Sequence, residues 1–203
     1  MGIAGITWRG DSIEDVEILP ELPVDLVRLL TDANGFILHE GALHVRGACL
    51  TPEWHSLRAA WKGPHAFHVL YNDLVPSDIP FAQDQVGDQF LLREGAVHRL
   101  SAETGELEHV ADNIQEFFAN AGTDIERFLN VGLSHTLEPG QLLQASPPFC
   151  LRESARGSSL AAVPASDLIL FHADLARQIR DLPDGTRFEM KVEHGRRTKG
   201  WSQ

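Results

Sequence analysis

Apolar residues recur at intervals of three or four positions in several stretches of the chain, and this spacing predicts amphipathic helices. The first begins near Leu22 and ends at Asn34-Gly35, a pair typical of a helix C-terminus. The others are expected at residues 52–62, 113–122, 123–133 and 167–182. A residue suited to cap the helix precedes three of them, at Thr51, Asp112 and Ser166. Gln115 stands where it would complete a capping box with Asp112.

Short apolar runs with strand-like patterning predict β-strands at residues 36–40, 42–47, 89–93, 96–101, 106–111 and 186–193. Turn sequences at 94–95 and 102–105 join three of these runs, which predicts an antiparallel meander. The first twenty residues predict a loosely attached arm, with a short strand near 16–19. Residues 65–88 form a long segment with few regular signals.

The composition is that of an ordinary globular chain. Its 203 residues are 43% hydrophobic and 23% charged, which fits one domain or one domain with an appendage. No apolar run reaches the ~20 residues of a membrane span. The first residues lack the pattern of a secretory signal, so the expected location is cytoplasmic. Cys49 and Cys150 lie among apolar neighbours and are expected to be buried free thiols.

The charge is strongly negative. The chain has 29 acidic and 17 basic side chains, for a net charge of −12. Phosphate groups repel such a surface, and phosphate contacts supply most of the affinity for nucleic acids. We therefore expect neither a nucleic acid nor a membrane as partner. An acidic surface can instead attract a basic protein.

Ten histidines raise the question of a metal site. The nearest approach to ligand spacing is His65 with His68, and acids or histidines that could join them are His55, Asp73 and Asp78. A metal site needs three or four convergent ligands, and the HExxH pattern and paired cysteines are lacking. The chain also has no GxSxG and no glycine-rich phosphate loop. We expect no catalytic residue, metal or cofactor, although carboxylate pairs and a cysteine–histidine dyad stay open.

The middle of the chain carries an ordered series of motifs. In chain order they are PFA at 80–82, Asp84, GD at 87–88, Gly95, Val97, TGE at 104–106 and Phe117. In order and spacing, the stretch from about Leu22 to Ala121 resembles the SUKH superfamily. That superfamily is named partly for a yeast cell-wall regulator and includes many bacterial immunity proteins of toxin systems.

The resemblance implies an α+β fold with a mixed, mainly antiparallel sheet and packed helices. This SUKH-like domain would span residues 1–134, with residues 1–20 as its N-terminal arm. Residues 135–203 lie outside the resemblance and are expected to form a helix–strand extension packed on the same domain. The resemblance also implies protein binding, since bacterial members often neutralise a cognate toxin, frequently a nuclease or another enzyme that acts in the cytosol.

An acidic cluster in and near the irregular segment is the predicted binding site. The expected partner-binding residues are Asp73, Asp78, Asp84, Asp88, Glu94 and Tyr71. Loops often carry binding residues, and a negative patch would attract the basic surface of a nuclease-like toxin. The alternative is that the acids cap turns and that Tyr71 is a core residue. For Gly87 and Asp88 this alternative is favoured, because glycine permits a tight turn and Asp88 can accept hydrogen bonds from loop amides.

Three functions follow from these observations. The first is an immunity protein that covers a toxin domain. The second is a regulatory protein-interaction module without a toxin partner. The third is an unrecognised hydrolase that uses histidines and carboxylates. The motifs and the acidic charge favour the first.

Overall fold

The computed structural model describes residues 4–130, 132–183, 185–187 and 189. Seven strands form one antiparallel sheet, in which neighbours in the chain are neighbours in the sheet. They are β1 (Ile6–Arg9), β2 (Phe36–Leu38), β3 (Leu43–Val45), β4 (Ile79–Asp84), β5 (Gln89–Arg93), β6 (Ala96–Leu100) and β7 (Leu107–Ala111). Two more strands, β8 (Gln141–Ser146) and β9 (Ser159–Pro164), pair with each other. The predicted α+β class with a mainly antiparallel sheet is confirmed.

Within the described residues, the strands are accompanied by six α-helices: α1 (Val24–Asp32), α2 (Leu57–Lys62), α3 (Phe67–Leu70), α4 (Ile114–Thr123), α5 (Ile125–Leu129) and α6 (Ala165–Ile179). Short 3-10 turns lie at Leu19–Glu21, His39–Gly41, Glu53–His55 and Arg152–Arg156. Among the residues described, no helix is both long and apolar enough to cross a membrane.

The predicted meander is present as β5, β6 and β7. Arg93 pairs with Ala96 across a two-residue turn. The turn residues Glu94 and Gly95 both have positive φ, 53° and 90°. Such backbone angles match the right-handed twist of a hairpin and explain why glycine stands at the second position.

Helices cover both faces of the sheet. On one face, α1, α4 and α5 enclose an apolar core with Leu26, Leu30, Phe36, Phe81, Phe90, Phe117 and Leu129. On the other face, Phe67 and Tyr71 of the α3 segment and Ala173 and Ala176 of α6 pack against Leu91 and Leu100. The C-terminal part of the chain therefore contributes to the second core.

The N-terminal segment differs from the predicted loose arm. Ile6–Arg9 forms β1 and pairs with β2, so this segment is an edge of the sheet. The predicted strand near 16–19 is absent: residues 16–18 form a turn, and Ile18 is fully buried. Asp15 is also buried and bonds to Arg58. These long-range contacts have no local sequence signal, which explains the error.

The helix boundaries also depart from those predicted. Ser56 caps α2 by accepting a hydrogen bond from the Ala59 amide, and the predicted cap Thr51 lies well before it. The cap of α4 is Asn113, whose side chain accepts from the Glu116 amide. The Glu116 side chain accepts from the Asp112 amide at 2.8 Å, so the cap lies one residue later than predicted and Gln115 does not complete a capping box.

For two further helices, the sequence predicted a C-terminal end that is three or four residues too late. The helix expected at 123–133 is α5, which ends at Leu129 and is followed by Asn130 with a left-handed φ of 56°. The helix expected from Ser166 is α6, which begins one residue before the predicted cap and ends at Ile179. The strand predicted at 186–193 lies largely outside the described residues.

Candidate protein-binding surface

Asp78 is a buried ion-pair partner. Its side chain is 1% exposed and accepts two hydrogen bonds from Arg93, at 2.8 and 2.7 Å. It also accepts one from the Val75 amide at 2.8 Å. Burial opposes ionisation of this carboxyl, but the Arg93 and Val75 hydrogen bonds outweigh that effect and lower its pKa. Asp78 therefore fixes the loop before β4 against β5.

Asp84 and Asp88 shape the tight turn between β4 and β5. Asp84 is fully buried, and its Oδ1 accepts from the Val86 and Asp88 amides at 3.0 Å each. Asp88 accepts two hydrogen bonds from Arg99, at 2.8 and 2.5 Å, and one from the Ala102 amide at 2.8 Å. Both carboxylates point into the protein, so neither can form a charged surface.

The other carboxylate oxygen of Asp84 has no hydrogen-bond partner among the described residues. The nearest cation is Arg99, whose guanidinium lies 3.8 Å away. Burial, together with the negative charge of Asp88, raises the pKa of Asp84 well above its ordinary value.

Only two of the six predicted binding residues are exposed. Tyr71 is buried, and its hydroxyl donates to the Ala102 carbonyl at 2.8 Å. Asp73 is exposed and pairs with Arg180 at 2.8 Å. Glu94 is exposed at the tip of the β5–β6 turn. The structure thus brings the predicted residues into one region, but four of the six face inward and do not form an acidic patch.

A buried polar group under α3 is also fully paired. Arg46 is 2% exposed and donates to the Pro80 carbonyl and to the side-chain oxygens of Gln83 and Gln89, at 2.9, 2.7 and 2.8 Å. Its guanidinium lies 5.3 Å from the centre of the Phe67 ring. Burial among these neutral groups lowers the Arg46 pKa to about 9. The side chain ties β3 to β4 and β5.

The histidines nearest to one another are His44 and His55, whose ring nitrogens lie 2.9 Å apart. Both rings are buried, and burial lowers both pKa values, that of His55 to about 4. The second His55 nitrogen contacts the Asn34 carbonyl at 3.2 Å. We find no group of three or more potential metal ligands in the described part of the chain. These neutral imidazoles join β3 to the segment before α2.

Glu103 lies near both Cys150 and His172, and its carboxylate is 3.9 Å from the His172 Nε2 atom. Glu103 accepts hydrogen bonds from the Phe149 and Cys150 amides, at 3.1 and 2.7 Å. Burial and the Glu103 charge raise the Cys150 pKa to about 12, whereas burial lowers the His172 pKa to about 4. At neutral pH the Cys150 thiol is protonated, whereas a reactive cysteine is a thiolate with a lowered pKa. Glu103 instead anchors the turn at 149–150.

A further group of exposed acids lies in the segment between β1 and α1. Its charged members Asp11, Glu14 and Glu17 are exposed, and Val16 and Leu50 beside them are 62% and 53% exposed. The Leu50 amide donates to the Glu14 carboxylate at 3.0 Å, which joins the two chain segments. We call these five residues the acidic N-terminal surface.

Buried contacts hold this surface in place. Arg58 donates to both oxygens of Asp15, at 2.5 and 2.7 Å, and this pairing lowers the Asp15 pKa. The Glu14 and Asp15 amides both donate to the Ala48 carbonyl. The density of acids at 11–17 was a sequence signal for this surface, but the expectation of a loose arm concealed it.

No protein-family model, no curated protein and no solved structure matches the chain.

Proposed function

We propose that this chain is a non-catalytic protein-binding module, and specifically a bacterial immunity protein that neutralises a cognate toxin by direct binding. The observation that carries the proposal is the acidic N-terminal surface, where exposed acids and exposed apolar side chains lie together on a segment fixed by buried contacts. Stable protein interfaces combine apolar contacts with a charged rim of this kind. The SUKH-like motifs between Leu22 and Ala121 support the toxin-binding role.

The charge of the surface indicates the kind of partner. Asp11, Glu14 and Glu17 are three of the 29 acidic side chains that give the chain its net charge of −12. Complementary charges accelerate association and discourage binding of other acidic proteins. The partner is therefore a toxin domain with a basic surface, such as a nuclease. Binding that covers this basic surface would also block its access to substrate.

Two linked experiments test the proposed function. The tagged chain is used as bait in a lysate of its native organism, and proteins retained at stoichiometric amounts are identified by mass spectrometry. Each candidate is then expressed alone and together with this chain. We expect a basic protein that arrests growth alone and is harmless in the presence of the chain.

Other outcomes would contradict the proposal in different ways. A stable partner that is not toxic would favour a regulatory interaction module. A toxic partner that is bound but not neutralised would contradict the immunity role while retaining protein binding. Absence of any partner, with the chain folded and the partner genes expressed, would contradict both.

A further inference from the structure

The outer edge of β9 has no hydrogen-bonded neighbour in the part of the chain that the structure describes. β9 pairs with β8 along its full length, from Ser159 opposite Ser146 to Pro164 opposite Gln141. The far edge of β8 is engaged, because the Leu143 amide donates to the Gln85 carbonyl at 2.7 Å. The corresponding edge of β9 makes no hydrogen bond to any residue that the structure describes.

The pairing pattern identifies which groups of β9 point outward. The Ala165 amide donates to the Gly140 carbonyl, so this pair continues the ladder as a hydrogen-bonded pair. Hydrogen-bonded and non-hydrogen-bonded pairs alternate in an antiparallel ladder. Ser159, Ala161 and Val163 therefore bond to β8, whereas the backbone groups of Leu160 and Ala162 face away from it. The outward-facing Leu143 amide opposite Ala162 agrees with this assignment.

This edge also lacks the usual protection against strand pairing. Natural edge strands are commonly guarded by charged side chains. Residues 157–166 contain none, although 23% of the whole chain is charged. Ala161 and Ala162 are exposed and small, so a neighbouring strand can approach closely. Pro164, which has no amide hydrogen, limits the edge at one end.

We propose that β9 pairs antiparallel with β9 of a second copy of this chain, about a two-fold axis at Ala161. Leu160 and Ala162 flank Ala161 symmetrically, so Leu160 of one copy faces Ala162 of the other in each direction. Each of these two pairs exchanges two backbone hydrogen bonds. The result is a four-stranded sheet in the order β8, β9, β9, β8. This isologous contact is independent of the proposed toxin binding.

Charge and register make the proposal testable at one position. In this register the two Ala161 residues form a non-hydrogen-bonded pair, with Cα atoms about 4.5 Å apart. Like charges placed there repel each other, and opposite charges attract. Ala161→Lys and Ala161→Glu therefore form a matched pair of variants. Because Ala161 is exposed in the single chain, neither substitution disturbs a buried contact.

The experiment is sedimentation equilibrium on the full chain over a range of protein and salt concentrations. We expect the wild-type mass to rise from 22.4 kDa toward twice that value as concentration increases. Added salt should strengthen the dimer, because each copy carries −12 and salt screens the repulsion. Each variant alone should dimerise at least tenfold more weakly, and an equimolar mixture of the two should recover the dimer.

Two results would overturn the proposal. One is a wild-type chain that stays monomeric up to its solubility limit at high salt, which would mean that the edge stays unpaired or is covered by another part of the chain. The other is a dimer whose strength is unchanged in both variants, which would place the contact elsewhere. Circular dichroism spectra of the variants establish that each is folded.

Discussion

Replacement of Asp78 by alanine should destabilise the protein far more than the same change at Asp73, although the two acids looked alike in the sequence. Asp78→Ala removes a buried partner of Arg93 and an acceptor for the Val75 amide. Breaking a buried ion pair by removing one partner costs about 3–5 kcal/mol. The Arg93 side chain is 28% exposed and can regain water, so we expect the lower end, about 3 kcal/mol.

The control substitution leaves the buried pair intact. Asp73→Ala removes an exposed ion pair with Arg180, whose partners are 55% and 40% exposed. Pairs of this kind contribute about 0–1 kcal/mol. For a chain of this size, 1 kcal/mol corresponds to about 2–4 °C in melting temperature. Asp78→Ala should therefore melt about 6–12 °C below the wild type, whereas Asp73→Ala should melt within about 4 °C of it.

The pH dependence gives an independent check of the cause. The pKa of Asp78 in the folded protein is below its ordinary value of 3.8. Its stabilisation is therefore fully present above pH 3.8 and is lost as the pH falls through the folded pKa. Urea unfolding at pH 7 and at pH 2.5 measures the difference between the wild type and Asp78→Ala. A difference below about 1 kcal/mol at pH 7, or one that persists unchanged at low pH, would refute the ion-pair explanation.

Three further substitutions test other parts of the structure. Asp84→Asn should be at least as stable as the wild type at pH 7, because the raised pKa of Asp84 means that its ionisation costs stability as the pH rises above 3.8. Urea unfolding below pH 4 should show no such advantage for the variant. Phe117→Ala should lower the free energy of unfolding by about 3–5 kcal/mol, because this fully buried ring packs among Phe81, Phe90 and other aromatic side chains. A loss of less than about 1 kcal/mol would contradict the described core. Gly35→Ala should reduce the yield of folded protein or lower its melting temperature, because the φ of Gly35 is 74° and a Cβ atom there would lie 2.3 Å from the His55 ring. An unchanged melting curve would contradict this packing.

The meander was predictable because its pattern is local. Two short turns separate β5, β6 and β7, and the residues at Glu94-Gly95 suit the turn that the structure shows. Strand β4 was missed for the opposite reason. All six of its residues are buried, so it has no alternation of apolar and polar side chains to reveal it. A strand buried on both faces resembles an irregular apolar segment when only the sequence is known.

The placement of the acids was not predictable from the sequence. Asp78 and Asp88 resemble solvated loop residues, yet each is buried against an arginine 15 or 11 positions along the chain. Sequence spacing does not show which arginine folds over which acid. Reversal of Asp84 to lysine would place a cation in a fully buried site, so it would test folding and not partner binding.

The central claim is that a toxin binds the acidic N-terminal surface, and reversing its charge tests this most directly. Asp11→Lys with Glu17→Lys changes the charge by four units without altering Glu14, whose carboxylate holds the Leu50 amide. The matched control is Asp73→Lys with Glu94→Lys, which makes the same change on the two exposed members of the originally predicted patch. Both double variants are first shown to be folded by circular dichroism.

Capture from lysate of the native organism is then quantified for the wild type and both double variants, followed by co-expression with the captured protein. We predict a growth-arresting basic protein that the wild type and the control retain and neutralise equally. Asp11→Lys with Glu17→Lys should retain at least tenfold less of it and fail to restore growth. Equal capture and rescue by all three chains, or loss only in the control, would contradict binding through the acidic N-terminal surface.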